Sequence, residues 1–234
     1  MTETFTPTKT DWVETLTGEI LLFGLLSRAF YTYPDQGEKT WLQSLIEEQV
    51  FDEAPFAEGQ RDVAEGLRML RAWSEDGLDE RAFEDLQGDY TRLFIGPGKV
   101  IVPPWESVYF NEERLTFQEQ TLDVRGWYRC FGLEVERLRH EPDDHIGLEL
   151  AFLVHLAQLG MGYLENGNQA DLEQLLQSQK DFLSKHLLQW GPAFCDQLCD
   201  KAHTGFYHGL ALLARGALTE LAQLFQIDPS LRAH

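Results

Sequence analysis

The sequence predicts an all-α protein, a single helical-bundle domain of roughly nine helices over residues 1–234. Three observations carry that prediction. Apolar residues recur at steps of three and four along the chain, the spacing of one helix face. Alternating β-branched runs, the mark of strands, are missing. Gly and Pro stand between the periodic stretches, where they act as breaks. With 234 residues, 43% of them hydrophobic and 12% aromatic, the chain is long and apolar enough to bury a sizeable core. No internal repeat divides it.

The first helix is expected at about Asp11–Phe30, where Val13, Leu16, Ile20, Phe23, Leu26 and Phe30 form one apolar stripe. Pro34 cannot continue it. A shorter helix over about Lys39–Val50 carries Leu42, Leu45 and Ile46, and a Pro- and acid-bearing loop follows over 52–59. Val63, Leu67, Leu70 and Trp73 mark the next helix, ended at Gly77. Asp79 is placed to cap a fourth, with Phe83, Leu86, Tyr90 and Leu93 facing inward.

Gly96 to Pro104 cannot be helical, because Gly and Pro break the hydrogen-bond ladder. This loop delivers Trp105 and Tyr109, two large aromatics with polar tips. Thr116-Phe117-Gln118-Glu119 matches a capping box, opening a helix through Leu122, Val124, Trp127 and Phe131, with Gly132 as its left-handed stop. Residues 133–141 form a charged connector, a candidate hinge between two lobes whose exchange between two chains would give a dimer beside the monomer.

Glu141-Pro142-Asp143-Asp144 reads as a helix start, with Pro142 at the first helical position and the acids on the positive end of the helix dipole. The helix to about Glu165 is apolar on several sides, as a central helix is. Three more follow at about Gln169–Leu188, Trp190–Lys201 and Thr204–Phe225, with Gly167, Gly191 and Gly205 as punctuation.

Lys and Arg number 19 against 39 Asp and Glu, a net charge of −20. Nucleic acid and anionic membranes are poor partners for such a surface, whereas a basic peptide is a good one. No basic region precedes an apolar run at Met1, and the longest apolar runs fall short of the ~20 residues of a membrane span. The cytoplasm is the expected compartment. Cys130, Cys195 and Cys199 lack the close pairs of a zinc site and suggest no disulfide framework.

Glu141, Asp144, His145 and Glu149 are the first cluster to test for chemistry, and a small helical metal-dependent hydrolase is one reading of them; His203, Tyr207 and His208 also cluster near a helix start, but without a matching nucleophile. No second His lies one turn from His145, HExxH is absent, and Gly96-Pro97-Gly98-Lys99 lacks the spacing of a phosphate loop. No metal and no cofactor are expected. The other reading is binding: Trp105 and Tyr109 on a Pro-stiffened loop offer apolar area, and nearby acids can receive Arg or Lys.

Three stretches carry a resemblance. Tyr90-x-x-Leu93-Phe94-x-Gly96-Pro97, Pro103-Pro104-Trp105-Glu106-Ser107-Val108-Tyr109 and Glu141-Pro142-x-Asp144-His145 together resemble the signature of the TorD/DmsD family of redox-enzyme maturation chaperones. The likeness runs in helix order from about Asp11 to Phe225. It implies an all-helical cytoplasmic chaperone that binds the twin-arginine leader of a molybdopterin-dependent reductase and holds back export until the cofactor is loaded. Its partners would be that leader and the apo-enzyme. The resemblance also implies that Trp105, Asp144 and His145 bear on leader binding, with Pro142 shaping the hinge and Tyr109 beside Trp105. Glu106 departs from the family pattern, where a small residue is common, and is expected to bear on which leader is preferred.

Overall fold

A computed structural model describes residues 9–52, 60–134 and 141–228. Among them the chain forms nine α-helices: α1 (Lys9–Tyr31), α2 (Gln36–Glu47), α3 (Arg61–Asp76), α4 (Glu80–Tyr90), α5 (Glu119–Cys130), α6 (Ile146–Glu165), α7 (Gln169–Lys185), α8 (Leu187–Lys201) and α9 (Gly205–Leu224). No strand forms among the described residues. Among the described residues the one β-type contact is an isolated antiparallel bridge between Trp105 and His145. The all-α expectation therefore holds.

Local chemistry accounts for most boundaries. The Asp35 side chain accepts from the Gly37 and Glu38 N–H groups and opens α2, and Asp79 does the same for α4 through Ala82. Gly132, at φ 74°, closes α5 as expected, because only glycine takes that left-handed conformation without strain. α4 runs on into one wide π-type turn over Thr91–Ile95, which seats Leu93 and Phe94 in the core before the loop begins.

α6 is the central element. α1 lies along one side of it, α7 against another, and α8 and α9 complete the bundle with α3. Leu16, Phe23, Leu26 and Phe30 of α1 are fully buried, as the stripe requires, whereas Val13 at its end is exposed. α1 and α6 touch backbone to backbone at Gly147: a Cβ there would lie 2.7 Å from Tyr31 Cβ and 2.9 Å from Ser27 O. Ser27 Oγ seals the crossing by donating to Gly147 O at 2.7 Å.

Several expectations fail for identifiable reasons. Thr116 does not cap α5; the helix begins after Gln118, with no side-chain cap, because Phe117 adopts a positive φ of 59°. Leu122 is 63% exposed, since α5 turns Thr121, Val124 and Tyr128 inward instead. Gly191 lies inside α8 rather than at its start, pressed against Leu218. The break comes at His186, whose φ and ψ of −119° and −91° separate α7 from α8. α6 starts at Ile146, not at Pro142, and His145 is its cap. By length and composition α6 is also apolar enough to cross a membrane, contrary to the expectation from run lengths, and half of it is buried within this fold. The proposed hinge lies largely in residues 135–140, outside the described residues.

Candidate functional site

The turn over residues 141–145 and the loop over 103–109 are built against each other. The Glu106 N–H donates to Asp144 O at 2.9 Å, and the Ile146 N–H donates to Pro104 O at 2.8 Å. These two bonds hold Trp105 opposite His145, their rings meeting edge to face at 6.1 Å.

Every acid in the turn is spoken for, but in different directions. Asp144 is fully buried; one oxygen accepts from the Ser107 N–H and the other from Thr121 Oγ1, both at 2.7 Å. Asp143 is 1% exposed and accepts two bonds from Arg125, at 2.6 and 3.0 Å, while its carbonyl accepts from Tyr128. Pro142 is buried. Glu141 is half-buried and accepts from Trp105 Nε1 at 2.6 Å. The predicted acid-on-dipole arrangement is therefore replaced by an inward-turned anchor that ties the turn to α5 and to the loop.

His145 is 5% exposed, and its Nδ1 accepts from the Gly147 N–H at 3.0 Å. Burial holds its pKa down at about 3, so the ring is neutral at physiological pH. A neutral ring on an edge-to-face contact with Tyr31 at 5.1 Å is a wall, not a charge. Tyr109 donates to Pro103 O at 3.0 Å and packs on Trp190 at 5.2 Å, so it pins the loop.

Glu106 does not face the same way as Trp105. It is 1% exposed and meets His186 Nδ1 at 2.9 Å, while His186 Nε2 lies 3.2 Å from Asp123. Burial raises the Glu106 pKa, and the His186 contact opposes that rise. Glu149 lies deeper, with Oε2 accepting from Trp190 at 3.3 Å and Oε1 without a partner. Its pKa is pushed well up, by burial first and then by the neighbouring carboxylates of Glu106 and Asp144. Among the described residues no group of three or more His, Cys, Asp and Glu side chains is arranged to hold a metal ion.

On the open side of the turn lies a cleft of about 770 Å³. Tyr31, Tyr33, Phe94, Trp105 and His145 give it aromatic walls, and Glu134 and Glu141 give it acid. Among the described residues no Lys or Arg lines it. Sequence reasoning found Trp105 and His145 but missed Tyr31 and Tyr33; Tyr31-Thr32-Tyr33-Pro34, two aromatics at a helix end before a proline, was the available signal.

The described scaffold is all-helical and opens one aromatic, acidic cleft beside the 141–145 turn. Residues 57–196 match the family described as nitrate reductase delta subunit. The chain is 34% identical over 198 residues to the Tat proofreading chaperone DmsD of Salmonella typhi, covering 84% of this chain and 85% of that protein. It is 30% identical over 192 residues to the chaperone protein TorD of Vibrio cholerae, covering 80% of each. The chain belongs to the TorD/DmsD family of redox-enzyme maturation chaperones. The family's members are chaperones, and this protein is not an enzyme; the hydrolase reading of Glu141, Asp144, His145 and Glu149 ends here.

Proposed function

We propose that this protein is a cytoplasmic chaperone that binds the twin-arginine leader of a molybdopterin-dependent reductase and assists cofactor loading before export. The observation that carries the reading is the cleft, with its aromatic walls and the carboxylates of Glu134 and Glu141. A leader offers fixed positive charge followed by an apolar run, which is the complement of such a surface. The charge pairs supply about 1 kcal/mol or less each where they are exposed. The apolar run supplies the rest, at roughly 25 cal/mol per Å² covered. Within this reading Trp105, Tyr31 and the His145 ring touch the leader. Pro142, Asp144 and Tyr109 hold the surface in shape from behind.

Calorimetric titration with a leader peptide carrying paired arginines and a following apolar segment tests this. Saturable binding that a Trp105→Ala substitution weakens is expected. Equal affinity of the substituted and unsubstituted chains, both folded, would move the leader elsewhere on the surface. Co-purification from the native cell should capture a reductase still bearing its leader.

A further inference from the structure

We propose that Glu19 and Gln179 form a proton latch between α1 and α7, in which a proton on Glu19 Oε1 is donated to Gln179 Oε1 and closes a ring of two hydrogen bonds, and that the latch opens when this proton is lost. Both side chains are fully buried. One bond of the ring is already drawn: Gln179 Nε2 donates to Glu19 Oε2. The other two oxygens of the pair, Glu19 Oε1 and Gln179 Oε1, are buried and have no partner. Two acceptors cannot satisfy each other, and a buried acceptor left empty is costly. A single proton answers both. A neutral carboxylic acid offers one donor and one acceptor, which is the complement of the donor and acceptor of an amide.

No charge holds the carboxyl ionised. The titratable side chains nearest it along the packed helices are Glu14 on α1, His155 on α6, Lys180 and Asp181 on α7, and Arg215 and Glu220 on α9. None of them shifts it. Burial pushes its pKa up to about 8, and the Gln179 bond opposes that rise. The latch bears on the cleft through α7. Phe182, one turn beyond Gln179, packs edge to face on Phe152 at 4.8 Å, and Phe152 lines the cleft. The proton therefore secures the helix that backs one cleft wall.

The test compares the full chain with Glu19→Gln, whose amide keeps a donor and an acceptor facing Gln179 and cannot titrate. The infrared difference between the two at about pH 6 should show the carbonyl band of a protonated carboxyl, and the band should fade as pH rises past about 8. The unfolded carboxyl sheds its proton at the ordinary 4.5, so the folded chain is the tighter proton binder between there and about 8, and stability falls as pH rises through that window. In urea denaturation, the folding constant of the unsubstituted chain relative to Glu19→Gln should drop about tenfold per pH unit across it and level off above. Hydrogen exchange of the α7 amides should match in the two chains at about pH 6 and be faster in the unsubstituted chain at about pH 9. Absence of the band at about pH 6, or a ratio of folding constants that does not change with pH, overturns the inference. Equal α7 exchange at about pH 9 overturns the opening of the latch. Should Glu19→Gln not fold, Glu19→Met serves as the reference for the same infrared difference, and absence of the band again overturns the inference.

Discussion

Two sides of one five-residue turn behave as different materials. Toward the core, Asp143 and Asp144 are dry, and each meets strong donors from α5 or the preceding loop. Toward the cleft, Glu141 keeps partial contact with water and is held by an aromatic side chain. The same residue type, a carboxylate, thus serves as mortar on one side and as an open surface on the other. What separates the roles is the direction of the chain through Pro142. Binding and anchoring should therefore respond to different substitutions, and the comparison can be broken by experiment.

The largest expected effect concerns His145. Its folded pKa of about 3 lies below the ordinary value of 6.5, so the unfolded chain binds the proton more readily. Stability contributed by the neutral ring is whole above pH 6.5 and falls as pH drops from there toward 3, by an amount on the order of several kcal/mol. Chemical denaturation across that range should show the loss, and His145→Gln should flatten it; an unchanged acid limb would mean the ring is wetter than the packing indicates. Next in size, Asp144→Ala leaves the Ser107 N–H and the Thr121 hydroxyl buried without a partner and should cost about 3 kcal/mol in a urea midpoint measurement. If that variant keeps its stability yet loses leader binding, the inward side of the turn is also the recognition side, and the comparison fails.

Trp105→Ala should weaken leader binding by about 2 kcal/mol, roughly thirtyfold, as the loss of a central aromatic contact does. Its effect on stability should be smaller than that of Asp144→Ala. Smallest of all is salt. Raising it should reduce affinity for an arginine-pair peptide about two- to threefold, through the carboxylates alone. The decrement should be equal in Trp105→Ala and in the unsubstituted chain.

Much of this was legible in the sequence. Periodicity located the helices, and Asp79, Gly77 and Gly132 marked ends that the structure reproduces. Trp105 and His145 were found as a pair because they sit in two distinctive stretches, and the chain does bring them together. The directions of side chains were not legible. Glu141-Pro142-Asp143-Asp144 has the composition of a helix start, yet it is a coil whose acids answer to residues 18 to 37 positions away in sequence. A local pattern cannot see Arg125 or Thr121. Glu19 is a similar case. It sits on the buried stripe of α1 beside Gln179 of α7, and burial pushes its pKa up to about 8. Nothing near it in sequence announces the amide that receives it. His186, at the break between α7 and α8, likewise meets Glu106, eighty positions earlier.

The apolarity of α6 has a consequence for how this chain is made. Its main cover, α1, is synthesised first, and the partner it needs begins at Ile146. At a translation rate of about 5–20 residues per second, the leucine-rich stripe of α1 waits on the order of ten seconds for α6 to leave the ribosome. When α6 does emerge, it is long and apolar enough to resemble a membrane span by length and composition, although in the finished fold half of it is buried. The nascent chain therefore has to be kept from bilayers and from its own kind while its two central helices find each other. A protein that minds the unfinished state of others passes through such a state itself.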